Sequence, residues 1–155
     1  MQLTQATEPL APSLEESLVD IVVGSTQLNR LAGVLGDIDL PHAVMRALGT
    51  LDEYGPLRIS DFARIDRCSQ PAATTLIGRL TEAGLATRTK DPHDSRAVVV
   101  TLTPAGRDRL AAARTGLGSS LAAHLPDFDP ARLARLQQDL NDLVEALKAV
   151  TTTRR

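Results

Sequence analysis

Apolar residues at Leu14, Leu18, Ile21, Val22, Leu28, Leu31 and Leu35 keep returning to one helical face, which predicts a long first helix from Ser13 to Leu35. Ser13 followed three residues later by Glu16 is a capping-box pattern, and Gly36-Asp37 ends the run. After Pro41, the spacing Val44, Leu48, Leu51, closed by Gly55-Pro56, predicts a second helix, and Leu57-Arg58-Ile59 reads as a short extended piece. Ser60 is placed to cap a short helix to about Arg67, with Phe62, Ala63 and Ile65 inward and Cys68 in the turn that follows. Ser69 then caps another helix, which tolerates Pro71 in its first turn, turns Ala73, Leu76, Ile77 and Leu80 inward and stops at Gly84.

Two short helices across a tight turn make a helix-turn-helix. The periodicity changes next: Leu85 to Thr89 and Ala97 to Leu102 are strand-like in their Val and Thr content, and the seven residues Lys90 to Arg96 between them hold Pro92 and polar turn formers. A hairpin directly after a helix-turn-helix predicts a wing. Thr103-Pro104 opens a further helix to about His124 with Leu110, Ala113, Leu117 and Leu121 inward; Gly116 and Gly118 mark a place where it can bend. Asp129-Pro130 repeats the start signal, and Leu133, Leu136, Leu140, Leu143, Val144, Leu147 and Val150 form the cleanest stripe in the chain.

The fold expected is mainly α: a winged helix-turn-helix with a two-stranded wing hairpin over 41–102, helices at 13–40 and 103–150, and flexible tails at 1–12 and 151–155. The terminal helices carry more apolar surface than the central core can use. Packing against their copies in a second subunit hides it, so these segments read as the dimerisation domain of an obligate homodimer.

Composition narrows the function. The chain has 155 residues, 43% hydrophobic and 23% charged, as expected of one folded domain with helical extensions and not of a large enzyme. With aromatics at 2% and no Trp, platforms for stacking single-stranded nucleic acid are missing. No apolar run approaches a membrane span and the N-terminus lacks an apolar leader, so the expected localisation is cytoplasmic with no membrane partner. A single cysteine agrees with a reducing compartment. The net charge of −2 hides a segregation: residues 1–55 are net −6, residues 56–114 net +4, and residues 115–155 neutral. Because the local field governs attraction to phosphate, a basic middle between acidic flanks is compatible with binding DNA.

With its apolar side inward, the helix after the turn presents Ser69, Gln70, Pro71, Thr74 and Thr75 outward near its N-terminus. Gln pairs bidentately with adenine, Thr offers a hydroxyl and a methyl that meets thymine, and Ser69 with the free N–H groups of the first turn suits a phosphate oxygen. Arg79, one turn further on, serves a phosphate contact or a structural ion pair equally well. Lys90, together with Arg88 on the strand before it, supplies wing charge.

The segment Asp91-Pro-His-Asp-Ser-Arg-Ala-Val-Val-Val-Thr-Leu-Thr-Pro-Ala-Gly106, in this order of elements, resembles the MarR family of bacterial transcriptional regulators. Asp91, Asp94, Arg96, Val100, Leu102, Thr103 and Gly106 fit that family's wing signature, and the likeness extends over about residues 13–150. The resemblance implies a triangular dimer whose two winged helices read a pseudo-palindromic duplex operator, usually as a repressor released by a small molecule or by oxidation. It implies that Arg96 enters the minor groove, where A·T-rich tracts concentrate negative potential. An acidic Asp94 on the same loop would repel phosphate, so its expected work is to orient an arginine or cap the wing turn. His42 and Arg46, one turn apart, fall where family members form an effector pocket, and Arg46 suits the carboxylate of a small anionic or aromatic effector.

Cys68 invites a redox reading, since peroxide sensors of this family use a reactive cysteine; theirs lies near the start of the first helix with tyrosine partners, whereas here Cys68 occupies a turn position suited to a small buried hydrophobe. His42, His93 and His124 are too scattered for a metal site, no cofactor motif is present, and no nucleophile-base pattern indicates an enzyme. The alternatives to a DNA-binding regulator are a winged-helix protein-interaction module and a thiol-based regulator using Cys68.

Overall fold

The computed structural model describes residues 12–37, 39–91, 94 and 97–153. Helix α1 spans Leu14–Leu35, α2 His42–Tyr54, α3 Ile59–Ile65, α4 Gln70–Glu82, α5 Pro104–Ala123 and α6 Pro130–Thr153; the strands are β1 Leu57–Arg58, β2 Ala86–Lys90 and β3 Val98–Leu102. The chain divides into two compact units at Leu121 and Ala122.

Start signals read from the sequence act as hydrogen bonds. Ser13 Oγ accepts the N–H of Glu16 at 3.2 Å while the Glu16 carboxylate accepts that of Ser13 at 2.9 Å, so the capping box of α1 is complete. Ser69 Oγ accepts the N–H of Ala72 at 3.3 Å to open α4, and Asp129 Oδ1 accepts that of Ala131 at 2.9 Å before α6. Ser60 behaves differently: α3 begins at Ile59 with Arg58 at its N-cap, so Ser60 lies inside the first turn and caps nothing. Pairing of Leu57 and Arg58 with β3 holds only those two residues extended, and the chain turns into helix immediately afterwards.

The sheet runs β1-β3-β2, all antiparallel. The expected two-stranded wing is therefore joined by a third, very short strand, with Leu57 opposite Val100 and Arg58 opposite Val99. In β2 and β3 the register places Ala86 opposite Leu102 and Lys90 opposite Val98.

The core of the first unit is one cluster. Ala47, Leu48 and Leu51 of α2, Phe62 and Ala63 of α3, and Ala73, Ile77 and Leu80 of α4 meet Ala86, Val100 and Leu102 of the sheet and Leu110 of α5. Burial of this aliphatic set around Phe62 fixes α3 and α4 against the sheet, so the outward side of α4 is determined by its inward one. In contrast, α1 has no buried residue, and Val22, Leu28 and Leu31 are more than half exposed. In the second unit α6 leaves Leu133, Leu136, Leu140, Val144, Leu147 and Val150 exposed. No helix among the described residues is long and apolar enough to cross a membrane.

Candidate nucleic-acid interface

Helix α4 carries the expected polar face. Ala73, Ile77 and Leu80 are buried, whereas Gln70, Pro71, Thr74, Thr75 and Arg79 are exposed. The Thr74 hydroxyl donates to the Gln70 carbonyl at 2.9 Å and the Thr75 hydroxyl to that of Pro71 at 3.0 Å. Each threonine thus spends its proton on its own helix, a common habit of mid-helix threonine, and turns lone pairs and a methyl outward. That combination suits a base-edge amino donor or a thymine methyl.

The wing strands approach this helix from one side. Arg88 on β2 passes beside Gly78 and donates from Nη2 to the Thr74 carbonyl at 3.1 Å. Arg88 therefore ties β2 to α4 as well as adding charge beside it. Lys90 ends β2 in an exposed position. At the wing root, Asp91 N–H donates to the Ala97 carbonyl at 3.0 Å and Ala97 N–H to that of Asp94 at 2.9 Å. Asp94 is exposed; Arg96 and His93 lie outside the described residues.

His42 and Arg46 do line a common pocket. With Asn29, Met45, Gly49, Leu110 and Arg114 they enclose about 260 Å³ between α1, α2 and α5. Arg46 is not a free cation there: its Nε and Nη2 donate to the two carboxylate oxygens of Asp66 at 2.7 and 2.9 Å, and that carboxylate is only 1% exposed. The hydrogen bond to Asp66 raises the guanidinium pKa above its ordinary value, against the opposing effect of desolvation. The second guanidinium, Arg114, donates to Asp52 at 3.1 Å. Sequence reasoning missed Asp66 and Arg114, because partners 20 and 62 residues apart leave no local pattern.

Cys68 is half-buried against the core, its N–H donating to the Ala63 carbonyl at 3.0 Å. Arg67 just before it has a φ of +51°, a left-handed conformation that turns the chain from α3 toward α4. Among the described residues no cluster of His, Cys, Asp and Glu could hold a metal ion.

Helix, turn, outward-facing helix and paired wing define a winged helix-turn-helix, a fold whose DNA-binding members place the second of those helices in the major groove. Residues 40–98 match the model of the MarR family. No curated protein matches the chain in sequence. Among solved structures, a probable transcriptional regulator from Pseudomonas aeruginosa is similar at 26% identity and a TM-score of 0.53, covering 84% of this chain and 99% of that one. A mutant MarR from E. coli complexed with operator DNA shares the fold at 19% identity and a TM-score of 0.56, covering 85% and 99%. BpsR from Bordetella bronchiseptica, whose DNA binding is regulated by 6-hydroxynicotinic acid, does so at 22% and 0.56, covering 83% and 99%. The fold is the one that the probable transcriptional regulator from Pseudomonas aeruginosa also has.

Proposed function

We propose that this protein is a homodimeric repressor of MarR type that reads a pseudo-palindromic duplex operator and is released by a small effector. The observation that carries the reading is α4: a Ser69-capped helix, locked by Ala73, Ile77 and Leu80, that presents Gln70, Pro71, Thr74 and Thr75 to solvent beside a wing bearing Arg88 and Lys90. Gln70, Thr74 and Thr75 read base edges; Ser69, Arg79, Arg88 and Lys90 serve the phosphate backbone; Arg96 enters the minor groove, with Asp94 orienting the wing. Exposed apolar residues on α1 and α6 are the surface that a second copy covers.

The pocket lined by His42, Arg46 and Arg114 is the candidate site for a small anionic or aromatic effector, and a carboxylate entering it would compete with Asp66 and Asp52 for the two guanidinium groups. Its link to Asp66 at the end of α3 gives such a ligand a route to the turn before the reading helix.

Selection of bound duplexes from a random pool with the purified protein tests the reading. The expected product is a two-fold motif with half-sites about 10 bp apart, centre to centre. Its affinity should fall steeply as salt rises. A single isolated half-site, a folded monomer by sedimentation at micromolar concentration, or no enrichment would each overturn it.

A further inference from the structure

The wing is tied to the rest of the reading head by an ion pair that sequence pattern did not single out. Arg58, the last residue of β1, donates from Nε to Oδ2 of Asp91 at 2.7 Å. Asp91 is where β2 ends and the wing loop begins, and its carboxylate is only 8% exposed. Strands β1 and β2 do not pair with each other; β3 lies between them, with Val99 opposite both Arg58 and Thr89. Arg58 therefore reaches across the middle strand to grip the root of the wing from the far edge of the sheet. That root is the point at which Asp91 and Ala97 close the loop through backbone hydrogen bonding. β1 is two residues long, so strand pairing alone gives the wing little purchase on this side.

We propose that Arg58 is a positioning residue of the DNA-reading head: by holding Asp91 across β3 it fixes the wing relative to α4, and so sets the spacing at which wing and helix meet adjacent grooves. The inference rests on the DNA-binding reading above. Arg58 is placed among carboxylates: besides Asp91, those of Asp94 on the loop and Asp61 on α3 act on its charge. A cation so surrounded is committed to the protein, and it contributes to DNA affinity through geometry and not through a phosphate contact. The cleft of about 310 Å³ bordered by Arg58, Ser60, Gln70, Thr74, Asp94 and Val98 is the gap whose width this pair governs.

The test compares wild type, Arg58→Met and Arg58→Lys by two readouts. Amide hydrogen exchange is followed at Asp91 and Ala97, with Ile77 and Leu80 of the core as reference. Binding is measured over a salt series to the tightest duplex that the wild-type protein selects from a random pool. Arg58→Met is expected to speed exchange at the wing root by about ten-fold or more while leaving the core amides unchanged. It should weaken the duplex by about ten-fold with the same slope of log K against log salt, because no phosphate contact is lost. Lysine, which keeps a charge within reach of Asp91, should recover most of both effects. Unchanged exchange at the wing root overturns the proposal, as does a slope that falls by about one with the root intact, which would make Arg58 a phosphate contact. Should Arg58→Met loosen the core as well, Arg58→Lys decides: exchange raised equally at root and core overturns the proposal, and exchange raised only at the root upholds it. A wild-type protein that selects no duplex overturns the DNA-binding reading, and this one with it; the exchange measurements still report separately whether Arg58 holds the wing root.

Discussion

Gly106 lies directly beneath the carbonyl of Leu85, so that a Cβ built on it would overlap the Leu85 oxygen and stand 2.7 Å from Leu102 Cδ1. Thr103 completes the junction: its N–H donates to the Leu85 carbonyl at 3.1 Å, its hydroxyl donates to that of Gly84 at 2.7 Å, and its oxygen accepts the N–H of Gly106 at 3.0 Å. The first turn of α5 is thereby joined to the corner where α4 ends and β2 begins. Gly106→Ala must push backbone against backbone, and should cost about 2–3 kcal/mol or more in urea unfolding. A variant as stable as wild type would contradict this close approach of Gly106 to Leu85.

Arg67 holds a left-handed conformation that glycine adopts at no steric cost. Its side chain is exposed, so little packing is lost on removing it. Arg67→Gly is therefore expected to raise stability by about 0.5–1 kcal/mol, an unusual sign for a substitution to glycine. Thermal melting of the two proteins at equal concentration checks it, and a lower midpoint for the glycine variant would contradict it.

Base reading and charge separate in two substitutions. Gln70→Ala removes an exposed amide at the start of α4 and should relax preference at one base position per half-site, worth about 1–3 kcal/mol of discrimination. Arg96→Ala should weaken most sequences alike and lower the salt slope by about one. Repeating the duplex selection with each variant distinguishes them; an unchanged motif with Gln70→Ala would remove that residue from the base-reading set.

Cys68 packs against the core yet stays half-buried. Serine in its place should cost about 1 kcal/mol, the lower end of the range for an unsatisfied hydroxyl because water still reaches the site. DNA release by a few equivalents of organic hydroperoxide should be the same in both proteins. Release seen only with the cysteine form would make Cys68 a thiol switch.

Local chemistry carried most of the fold. Capping by Ser13, Ser69 and Asp129, the helical spacing of Ala73, Ile77 and Leu80, and the change to runs rich in Val and Thr after Gly84 are all decided within a few residues of chain, where the energetics of caps, turns and amphipathic faces act. Orientation of the outward face of α4 follows from its inward one, so Gln70, Thr74 and Thr75 were legible before any coordinates. What the linear pattern could not reveal is who meets whom across the fold. Arg46 with Asp66, Arg58 with Asp91, Arg114 with Asp52 and Arg88 with the Thr74 carbonyl join residues 14 to 62 positions apart. An arginine reads the same in sequence whether it faces phosphate, a ligand or a buried carboxylate; only packing of the elements brings one of those partners within 3 Å or so and removes the water that would otherwise serve instead. Ser60 shows the same division on a small scale, because pairing with β3, a strand some 40 residues away, decided where the extended segment stopped and left a good capping residue inside the helix.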